Sequence, residues 1–280
     1  MYPLFCSLCR VKEMGKFCQI VVGPAGSGKS TYCAILQDHF SLLHRTVSVF
    51  NFDPASETIP YTAAVDIREF VSVQDVMEYC SLGPNGALVY ALEYALSDPS
   101  QQAWIDDALG DYPDDYLLID FAGQVELFTY YDCIGILSRA LQARGYTVLL
   151  VYIAEAQKFQ TRSSYLSTVL VAMSAMSSCG TPFLPVMSKV DLLGPELQAQ
   201  LLGTGYDELH DLVASIAQLH TTKPRPLDTA IEQAVVAEGG LCFAPYTATE
   251  PETVHAVATR ADLILGFGED EEPPNPPDLE

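Results

Sequence analysis

Basic residues are scarce in this chain, which has 14 lysines and arginines against 36 aspartates and glutamates in 280 residues and a net charge of −22. Proteins that bind nucleic acid neutralise its phosphates mainly with lysine and arginine. We therefore expect no direct nucleic-acid partner. The negative charge favours no other class, because acidic proteins are commonly just soluble ones.

The eight cysteines form no framework along the chain. Cys6 and Cys9 make a C-x-x-C pair, but no second pair follows at the spacing of a zinc ribbon. Scattered thiols are typical of a reducing compartment rather than of a secreted protein. We therefore expect a cytoplasmic protein.

Signals for secretion and for a membrane are also lacking. Residues 1–13 contain no long apolar run that ends in a cleavage site, so no signal peptide is predicted. Residues 163–187 carry no charge, but Gly180, Pro182 and Pro185 interrupt them. This stretch predicts a buried helix, a turn and a strand, so we expect no membrane partner.

Composition divides the chain into three parts. Residues 1–14 precede the first predicted strand and are expected to be an N-terminal extension. Residues 15–268 carry the apolar segments of one folded domain. Residues 269–280 are acidic and proline-rich, which predicts a disordered tail with no core to join.

What the chain does contain is a phosphate-binding loop. Residues 23–30 fit the pattern G-x-x-x-x-G-K-S/T, between an apolar strand at 17–22 and a helix at 31–43. Glycines let backbone N–H groups and the helix N-terminus point at phosphates. Lys29 is expected to reach the β- and γ-phosphates, and the Ser30 hydroxyl to join a Mg²⁺ shell. The candidate nucleotide-binding residues of this loop are Gly23, Pro24, Ala25, Gly26, Ser27, Gly28, Lys29, Ser30 and Thr31.

Two acids follow predicted strands at the edge where ligands gather in open α/β sheets. Asp120 closes the apolar run 114–120, which is the Walker B arrangement that holds Mg²⁺ directly or through water. Asp53 closes the run 46–52 and is a candidate for the outer Mg²⁺ shell. The pair Asp53-Pro54 is equally typical of a simple turn, and the local pattern fits both interpretations.

Candidate groups for hydrolysis lie behind these acids. Gly123 is expected to present its N–H to the γ-phosphate, and Gln124 to orient a hydrolytic water. The long segment 56–85 lies where P-loop GTPases carry a γ-phosphate-sensing switch, and Asp66 in it is a candidate to orient or deprotonate that water. Its neighbours Arg68 and Glu69 fit an ordinary surface ion pair equally well.

A guanine-recognition motif follows the fifth predicted strand, 183–187. Ser188, Lys189 and Asp191 have the form N/T-K-x-D, in which Asp191 accepts hydrogen bonds from N1 and the 2-amino group of guanine. Adenine lacks that amino group, so the aspartate favours GTP over ATP by about 1–3 kcal/mol for one good bidentate pair. Lys189 is expected to cover the base and support the phosphate-binding loop. Thr247, at the end of a sixth strand over 241–246, is expected at the base edge.

Strands and helices alternate through most of the chain, which predicts a single-domain α/β fold. The phosphate-binding loop narrows this to a P-loop NTPase, a three-layer α/β/α architecture around a mostly parallel sheet. Six strands and several helical insertions are expected.

With these motifs placed, residues 15–268 resemble the GPN-loop GTPases. The family takes its name from the tripeptide Gly83-Pro84-Asn85, and the motifs that begin at Asp53, Asp66, Gly123 and Lys189 agree with it in order and spacing. The resemblance implies a dimer in which Asn85 approaches a phosphate held by the other subunit, itself a paralogous GPN-loop GTPase or a second copy. It further implies a role in assembly and nuclear import of RNA polymerase II, hence contact with its subunits and shuttling to the nucleus.

Two residues depart from the family pattern. Ala122 replaces the usual proline before Gly123, which is expected to slow hydrolysis without affecting binding. Ser188 replaces threonine or asparagine and keeps a hydroxyl. Arg68 is the only arginine close to the motifs, so no arginine finger is evident and turnover is expected to be slow. We therefore predict a dimeric switch that binds Mg²⁺ and GTP or GDP and hydrolyses GTP slowly.

Two alternatives remain. A P-loop kinase for small molecules or polynucleotides needs a lid with clustered arginines, and no such cluster occurs after residue 140. A non-catalytic scaffold, in which nucleotide only stabilises a binding surface, fits the weakened loop at Ala122.

Overall fold

The computed structural model describes residues 15–97, 103–110, 115–219, 225–237 and 240–268. Seven strands form one sheet in the order β3-β2-β4-β1-β5-β6-β7, and every neighbouring pair is parallel. The strands are β1 Lys16–Val22, β2 Ser48–Phe52, β3 Ala63–Asp66, β4 Asp115–Phe121, β5 Tyr146–Glu155, β6 Phe183–Ser188 and β7 Ala244–Pro245.

Helices connect the strands and cover both faces of the sheet. They are α1 Lys29–Leu42, α2 Val73–Cys80, α3 Pro84–Ser97, α4 Ala103–Leu109, α5 Glu126–Thr129, α6 Cys133–Ala143, α7 Arg162–Cys179, α8 Pro195–Gly203, α9 Tyr206–Leu219, α10 Pro226–Ala237 and α11 Pro251–Leu265.

The core lies in two layers, one on each side of the sheet. Consecutive residues of a strand point to opposite faces, so Ile20 packs in one layer with Leu92 of α3 and Val169 of α7, whereas Val21 packs in the other with Leu36 of α1. Strands covered on both faces are mostly apolar along their length, as β1, β4 and β5 are. The predicted three-layer P-loop architecture is confirmed.

Three elements differ from the sequence prediction. β3 is a seventh strand that was not predicted, because a four-residue edge strand beginning Ala63-Ala64 has no long apolar run to reveal it. β7 has two residues instead of six, since Pro245 has no N–H for a ladder. The sequence pattern predicts a helix over 87–97, but α3 begins at Pro84, and the Gly83 carbonyl accepts from the Ala87 N–H at 2.9 Å. Proline suits the first helical position, so the Gly-Pro-Asn tripeptide opens this helix.

The uncharged stretch 163–187 forms most of α7, a turn and β6, as predicted. In the described part of the chain, no helix is long and apolar enough to cross a membrane. The cysteines of that part form no disulfide. The predicted N-terminal extension with Cys6 and Cys9, and the predicted tail 269–280, lie outside the described residues.

Candidate nucleotide-binding site

The phosphate-binding loop joins β1 to α1 and depends on its glycines. Gly26 and Gly28 have φ of 81° and 96°, which L side chains rarely adopt. A Cβ atom on Gly23 would lie 2.3 Å from the carbonyl oxygen of Ile153 on β5. The loop therefore lies close against the end of β5 at Gly23, whereas Ala25 and Gly26 are exposed to solvent.

Lys29, the first residue of α1, is 7% exposed and its Nζ donates to the Pro24 carbonyl oxygen at 3.2 Å. Burial lowers the pKa of Lys29, while the nearby carboxylates of Asp120 and Asp53 act to raise it. The lysine is thus held inside the loop, beside the two acids at the ends of β4 and β2.

Asp120 lies near the carboxyl end of β4, an interior strand, and pairs with Val21 of β1 and Asn51 of β2. It is 2% exposed, and its Oδ2 accepts a 2.9 Å hydrogen bond from the Tyr61 hydroxyl. Its Oδ1 is buried and has no hydrogen-bond partner among the described residues. Burial raises the pKa of Asp120, and the hydroxyls of Ser30 and Tyr61 and the charge of Lys29 act to lower it.

This oxygen set fits a magnesium ion. Mg²⁺ prefers oxygen ligands and is usually held by one or two carboxylates together with substrate phosphates. Oδ1 of Asp120 is buried and unpartnered among the described residues, and the carboxylate lies close to the Ser30 hydroxyl and the charge of Lys29. Asp53 shapes the turn after β2, because its Oδ1 accepts from the Ala55 N–H at 3.0 Å. Asp53 therefore forms a turn, as one of its two interpretations predicts. Its charge also acts on Lys29, which places its carboxylate near the phosphate-binding loop.

Asp66, at the end of β3, is engaged by Arg68. The Arg68 Nε donates to both carboxylate oxygens at 2.9 and 3.0 Å, and Asn51 Nδ2 donates to Oδ1 at 2.9 Å. Desolvation acts to raise the pKa of Asp66, but these hydrogen bonds outweigh it and hold the pKa below its usual value. Arg68 also donates to the Ser56 carbonyl at 2.8 Å, so the pair braces the segment between β2 and β3. In this geometry Asp66 is a weak base.

Gly123 and Gln124 lie in the loop after β4, against the phosphate-binding loop. A Cβ atom on Gly123 would lie 2.7 Å from Lys29 Nζ and 3.0 Å from the Ala25 Cα, so a larger residue here would displace the lysine head and crowd the loop backbone. Gln124 Nε2 donates to Asn85 Oδ1 of the same chain at 3.0 Å. Two candidate hydrolytic residues are therefore bonded to each other.

The predicted guanine motif joins the phosphate-binding loop through two side chains. Ser188 Oγ donates to the Ser27 carbonyl at 2.6 Å, and Lys189 Nζ donates to the Gly26 carbonyl at 2.6 Å. Lys189 also forms a 2.6 Å ion pair with Glu155 at the end of β5. These bonds fix the start of the motif relative to the loop.

Asp191 is oriented by a hydrogen bond from Thr247. The Thr247 hydroxyl donates to Asp191 Oδ1 at 2.7 Å, and the Thr247 N–H donates to Thr253 Oγ1 of α11 at 3.1 Å. Thr247 is fully buried. Its predicted place at the base edge stays a prediction.

Comparisons with known proteins agree with this geometry. A family described as a conserved hypothetical ATP-binding protein matches residues 21–267. GPN-loop GTPase 3 of Mycosarcoma maydis is 35% identical over 277 residues, covering 95% of this chain and 98% of that protein. The proteins of the same name in Dictyostelium discoideum and Danio rerio are 36% identical over 265 residues and 35% identical over 271 residues. At least 92% of each chain is covered. The chain belongs to the GPN-loop GTPase family.

Within the GPN-loop GTPases, three sequence features favour the third eukaryotic paralogue: Met-Gly-Lys-Phe from residue 14, Met187 before the Lys-x-Asp motif, and Gly-Glu-Asp at 268–270. The names of these relatives confirm the likeness. The apo crystal structure of a GTPase from Pyrococcus abyssi has the same fold, with a TM-score of 0.68 at 24% identity and coverage of 88% of this chain and 96% of that one.

Sequence reasoning missed several residues of this GPN-loop GTPase site. Glu155, an acid at the carboxyl end of β5, carries the same signal that identified Asp53 and Asp120. Tyr61, Asn51 and Thr253 carry no such signal, because their roles depend on long-range contacts with Asp120, Asp66 and Thr247.

Proposed function

We propose that this chain is a GTPase that binds GTP with Mg²⁺ and hydrolyses it slowly. The observation that carries the proposal is the hydrogen-bonded connection between the two halves of the site. Ser188 and Lys189 tie the guanine motif to the phosphate-binding loop, and Thr247 fixes Asp191. A base-reading carboxylate and a phosphate-reading backbone are thereby held in one arrangement before any ligand arrives, which lowers the cost of binding. The names of the relatives support the same activity.

Guanine is favoured over adenine by the chemistry of Asp191. An ionised carboxylate only accepts hydrogen bonds, and guanine offers it two donors, N1–H and the 2-amino group. Adenine offers no donor at the corresponding positions, so an adenine base would leave the carboxylate unpaired. The geometry thus supports GTP, although the matching family is described by ATP binding.

The phosphate half of the site combines three kinds of donor. The loop backbone and the N-terminus of α1 supply N–H groups, Lys29 supplies a charge, and Gly123 brings a further backbone N–H beside Ala25. All three would stabilise negative charge on the β- and γ-phosphates.

Ser30 and Asp120 would hold the magnesium ion, with Asp53 in its outer shell. When bound, Mg²⁺ neutralises charge on the β- and γ-phosphate oxygens. The chain's own contribution is the carboxylate of Asp120, which burial has removed from water and which has one oxygen without a hydrogen-bond partner among the described residues.

Slow hydrolysis follows from the state of the candidate catalytic groups. Gln124 would orient the water, with Asn85 and Asp66 supporting it, yet Gln124 and Asn85 are bonded to each other and Asp66 is paired with Arg68. Arg68 is committed to that pair and to the Ser56 carbonyl, so it supplies no arginine finger in this arrangement. The same restraint is what favours the scaffold as the second candidate function.

Dimerisation and a cellular role extend the proposal. Asn85 lies in an exposed first turn of α3, where a second subunit has access to it. Family resemblance supports a partner that is a paralogous GPN-loop GTPase or a second copy. It also supports a shuttling, mainly cytoplasmic protein that aids assembly and nuclear import of RNA polymerase II.

Nucleotide titration followed by single-turnover kinetics tests the proposal. Fluorescent GTP and ATP analogues are titrated with and without Mg²⁺, and phosphate release is then followed for the chain alone and mixed with a paralogous subunit. We expect tighter binding of GTP than of ATP, and release that accelerates in the mixed dimer. Equal affinity for the two nucleotides would refute the guanine assignment, and binding without release in either dimer would make the chain a scaffold.

A further inference from the structure

We propose that Tyr61 is a positioning residue for the magnesium-binding carboxylate, acting through a single hydrogen bond to Asp120. The inference rests on the proposed function, because it concerns the same Mg²⁺–nucleotide site. It assigns a role to a residue of the segment between β2 and β3 that none of the motifs contains.

The contact itself is short and buried. The Tyr61 hydroxyl lies 2.9 Å from Asp120 Oδ2, and the two residues are 8% and 2% exposed. The other oxygen of Asp120, Oδ1, has no hydrogen-bond partner in the described ranges. The bond from Tyr61 therefore engages one oxygen of the carboxylate and leaves the other available. An aspartate side chain has two nearly equivalent oxygens that rotation about its last bond exchanges. Occupying one of them fixes which oxygen remains for a cation.

A second contact places Tyr61. The next residue, Thr62, is held by Gln37 of α1 through two reciprocal hydrogen bonds, from Gln37 Nε2 to the Thr62 carbonyl at 3.0 Å and from the Thr62 N–H to Gln37 Oε1 at 3.1 Å. Helix α1 begins with Lys29 and Ser30, so the segment that carries Tyr61 is anchored to the helix that opens the phosphate site.

Core packing alone does not explain the hydroxyl. The ring of Tyr61 belongs to the apolar layer that contains Val21 and Leu36, where phenylalanine would serve equally for packing. Burying a hydroxyl costs free energy unless it is bonded, and here its partner is the acid near the end of β4. Partners of metal ligands orient them in this way, and removing one typically weakens metal binding about 10–100-fold.

The test compares Tyr61→Phe with the wild-type chain and with Tyr116→Phe. Tyr116 is a matched control on the same strand as Asp120, because its hydroxyl is also buried and bonded, to Gln19 at 2.6 Å, but at the other end of β4. Dissociation of a fluorescent GDP is measured across a Mg²⁺ titration, and thermal unfolding is recorded in EDTA. Neither readout depends on hydrolysis.

We expect Tyr61→Phe to need about tenfold more Mg²⁺ for half-maximal retention of GDP. Its GDP affinity in EDTA should match wild type, and Tyr116→Phe should leave the Mg²⁺ midpoint unchanged even if it unfolds earlier. Gln37→Ala, which keeps Tyr61 but removes its anchor, should shift the midpoint in the same direction by less.

An unchanged midpoint in a folded Tyr61→Phe protein would overturn the inference, as would an equal shift in Tyr116→Phe. Should Tyr61→Phe fail to fold, an unchanged midpoint in Gln37→Ala would overturn it instead. Failure of the proposed function has a different signature, namely a wild-type chain that retains no guanine nucleotide at any Mg²⁺ concentration.

Discussion

Gln124 donates a hydrogen bond from its side-chain amide to Oδ1 of Asn85 in the same chain, across 3.0 Å. The two residues belong to separate elements, since Asn85 lies in the first turn of α3 and Gln124 in the loop after β4. The chain thus connects its own Gly-Pro-Asn segment to its own candidate hydrolytic loop. A single polar hydrogen bond of this kind contributes about 0.5–1.5 kcal/mol, so a nucleotide or a second subunit can replace it readily.

The first prediction concerns Gln124. If its amide orients the attacking water, Gln124→Leu should lower single-turnover GTP hydrolysis by about 10²-fold or more, the usual contribution of such a group. GTP affinity should stay near the wild-type value, because the phosphate and base contacts remain. Phosphate release and nucleotide titration measure the two quantities. Gln142→Leu, an exposed glutamine near the end of α6, is the matched control and should change neither. Unaltered hydrolysis in Gln124→Leu would remove the residue from the mechanism.

The second prediction concerns the base. Asp191→Asn replaces one acceptor oxygen by an amide donor, so GTP binding should weaken by about 1–3 kcal/mol. Xanthine carries a carbonyl where guanine carries the 2-amino group, and an asparagine can donate to it. Xanthosine triphosphate should therefore bind the variant better than the wild type. Competition against a fluorescent GTP analogue measures both affinities, with Asp38→Asn on the exposed side of α1 as the control. A variant that keeps its preference for GTP would show that Asp191 does not read the base.

The sequence predicted the central sheet and the phosphate-binding loop because their signals are local. The apolar runs of β1, β4 and β5 and the glycine spacing of the loop are visible within ten residues. Even Ser188, which departs from the family pattern, keeps a hydroxyl, and that hydroxyl bonds the Ser27 carbonyl.

Pairwise contacts between distant segments could not be predicted in the same way. The Tyr61–Asp120 bond joins residues 59 positions apart, and the Gln124–Asn85 bond joins residues 39 positions apart. Neither residue type nor spacing distinguishes Tyr61 from the other tyrosines of the chain. Likewise the sequence made Asp66 a candidate catalytic group and allowed Arg68 to form a surface ion pair with Glu69, and only the geometry shows both carboxylate oxygens of Asp66 accepting from Arg68.

A third prediction uses Ser188, which is 2% exposed. Ser188→Ala leaves the Ser27 carbonyl without its 2.6 Å donor, and an unsatisfied buried acceptor costs about 1–3 kcal/mol of unfolding free energy. Ser188→Thr keeps the hydroxyl and should stay close to wild type. Urea unfolding in the absence of nucleotide measures the difference. Equal stability of the two variants would mean that the hydroxyl does not support the loop.

A fourth prediction concerns the opposite end of the sheet. Arg45 donates to both oxygens of Asp262 at 2.6 and 3.2 Å and lies over the rings of Phe40 and Phe267. Tyr116 donates to the same carboxylate at 3.1 Å. Asp262→Ala removes the acceptor from all of these donors, so the unfolding free energy should fall by about 1.5–3 kcal/mol, the range for hydrogen bonds to a charged group.

Urea unfolding of Asp262→Ala measures this loss, and GDP affinity is measured alongside it. The affinity should be retained, because the network lies at the amino ends of β1 and β4, away from the nucleotide site. Arg45→Lys keeps the charge but loses the bidentate contact, so its free energy of unfolding should lie between those of wild type and Asp262→Ala. An Asp262→Ala variant as stable as wild type would show that this network contributes nothing to the free energy of unfolding.

The last prediction is the response of stability to pH at His39. Desolvation lowers the pKa of His39 below its ordinary value, and the neighbouring charges of His255 and Arg45 lower it further, while Asp262 opposes them. The unfolded chain therefore binds a proton more readily than the folded one. Stability is lost as pH falls through the ordinary pKa of about 6.5 towards the lower folded value, and it is fully present above that range. His39→Gln should flatten this part of the profile in urea unfolding between about pH 5 and 8. A slope that persists in His39→Gln would assign the pH dependence to other groups.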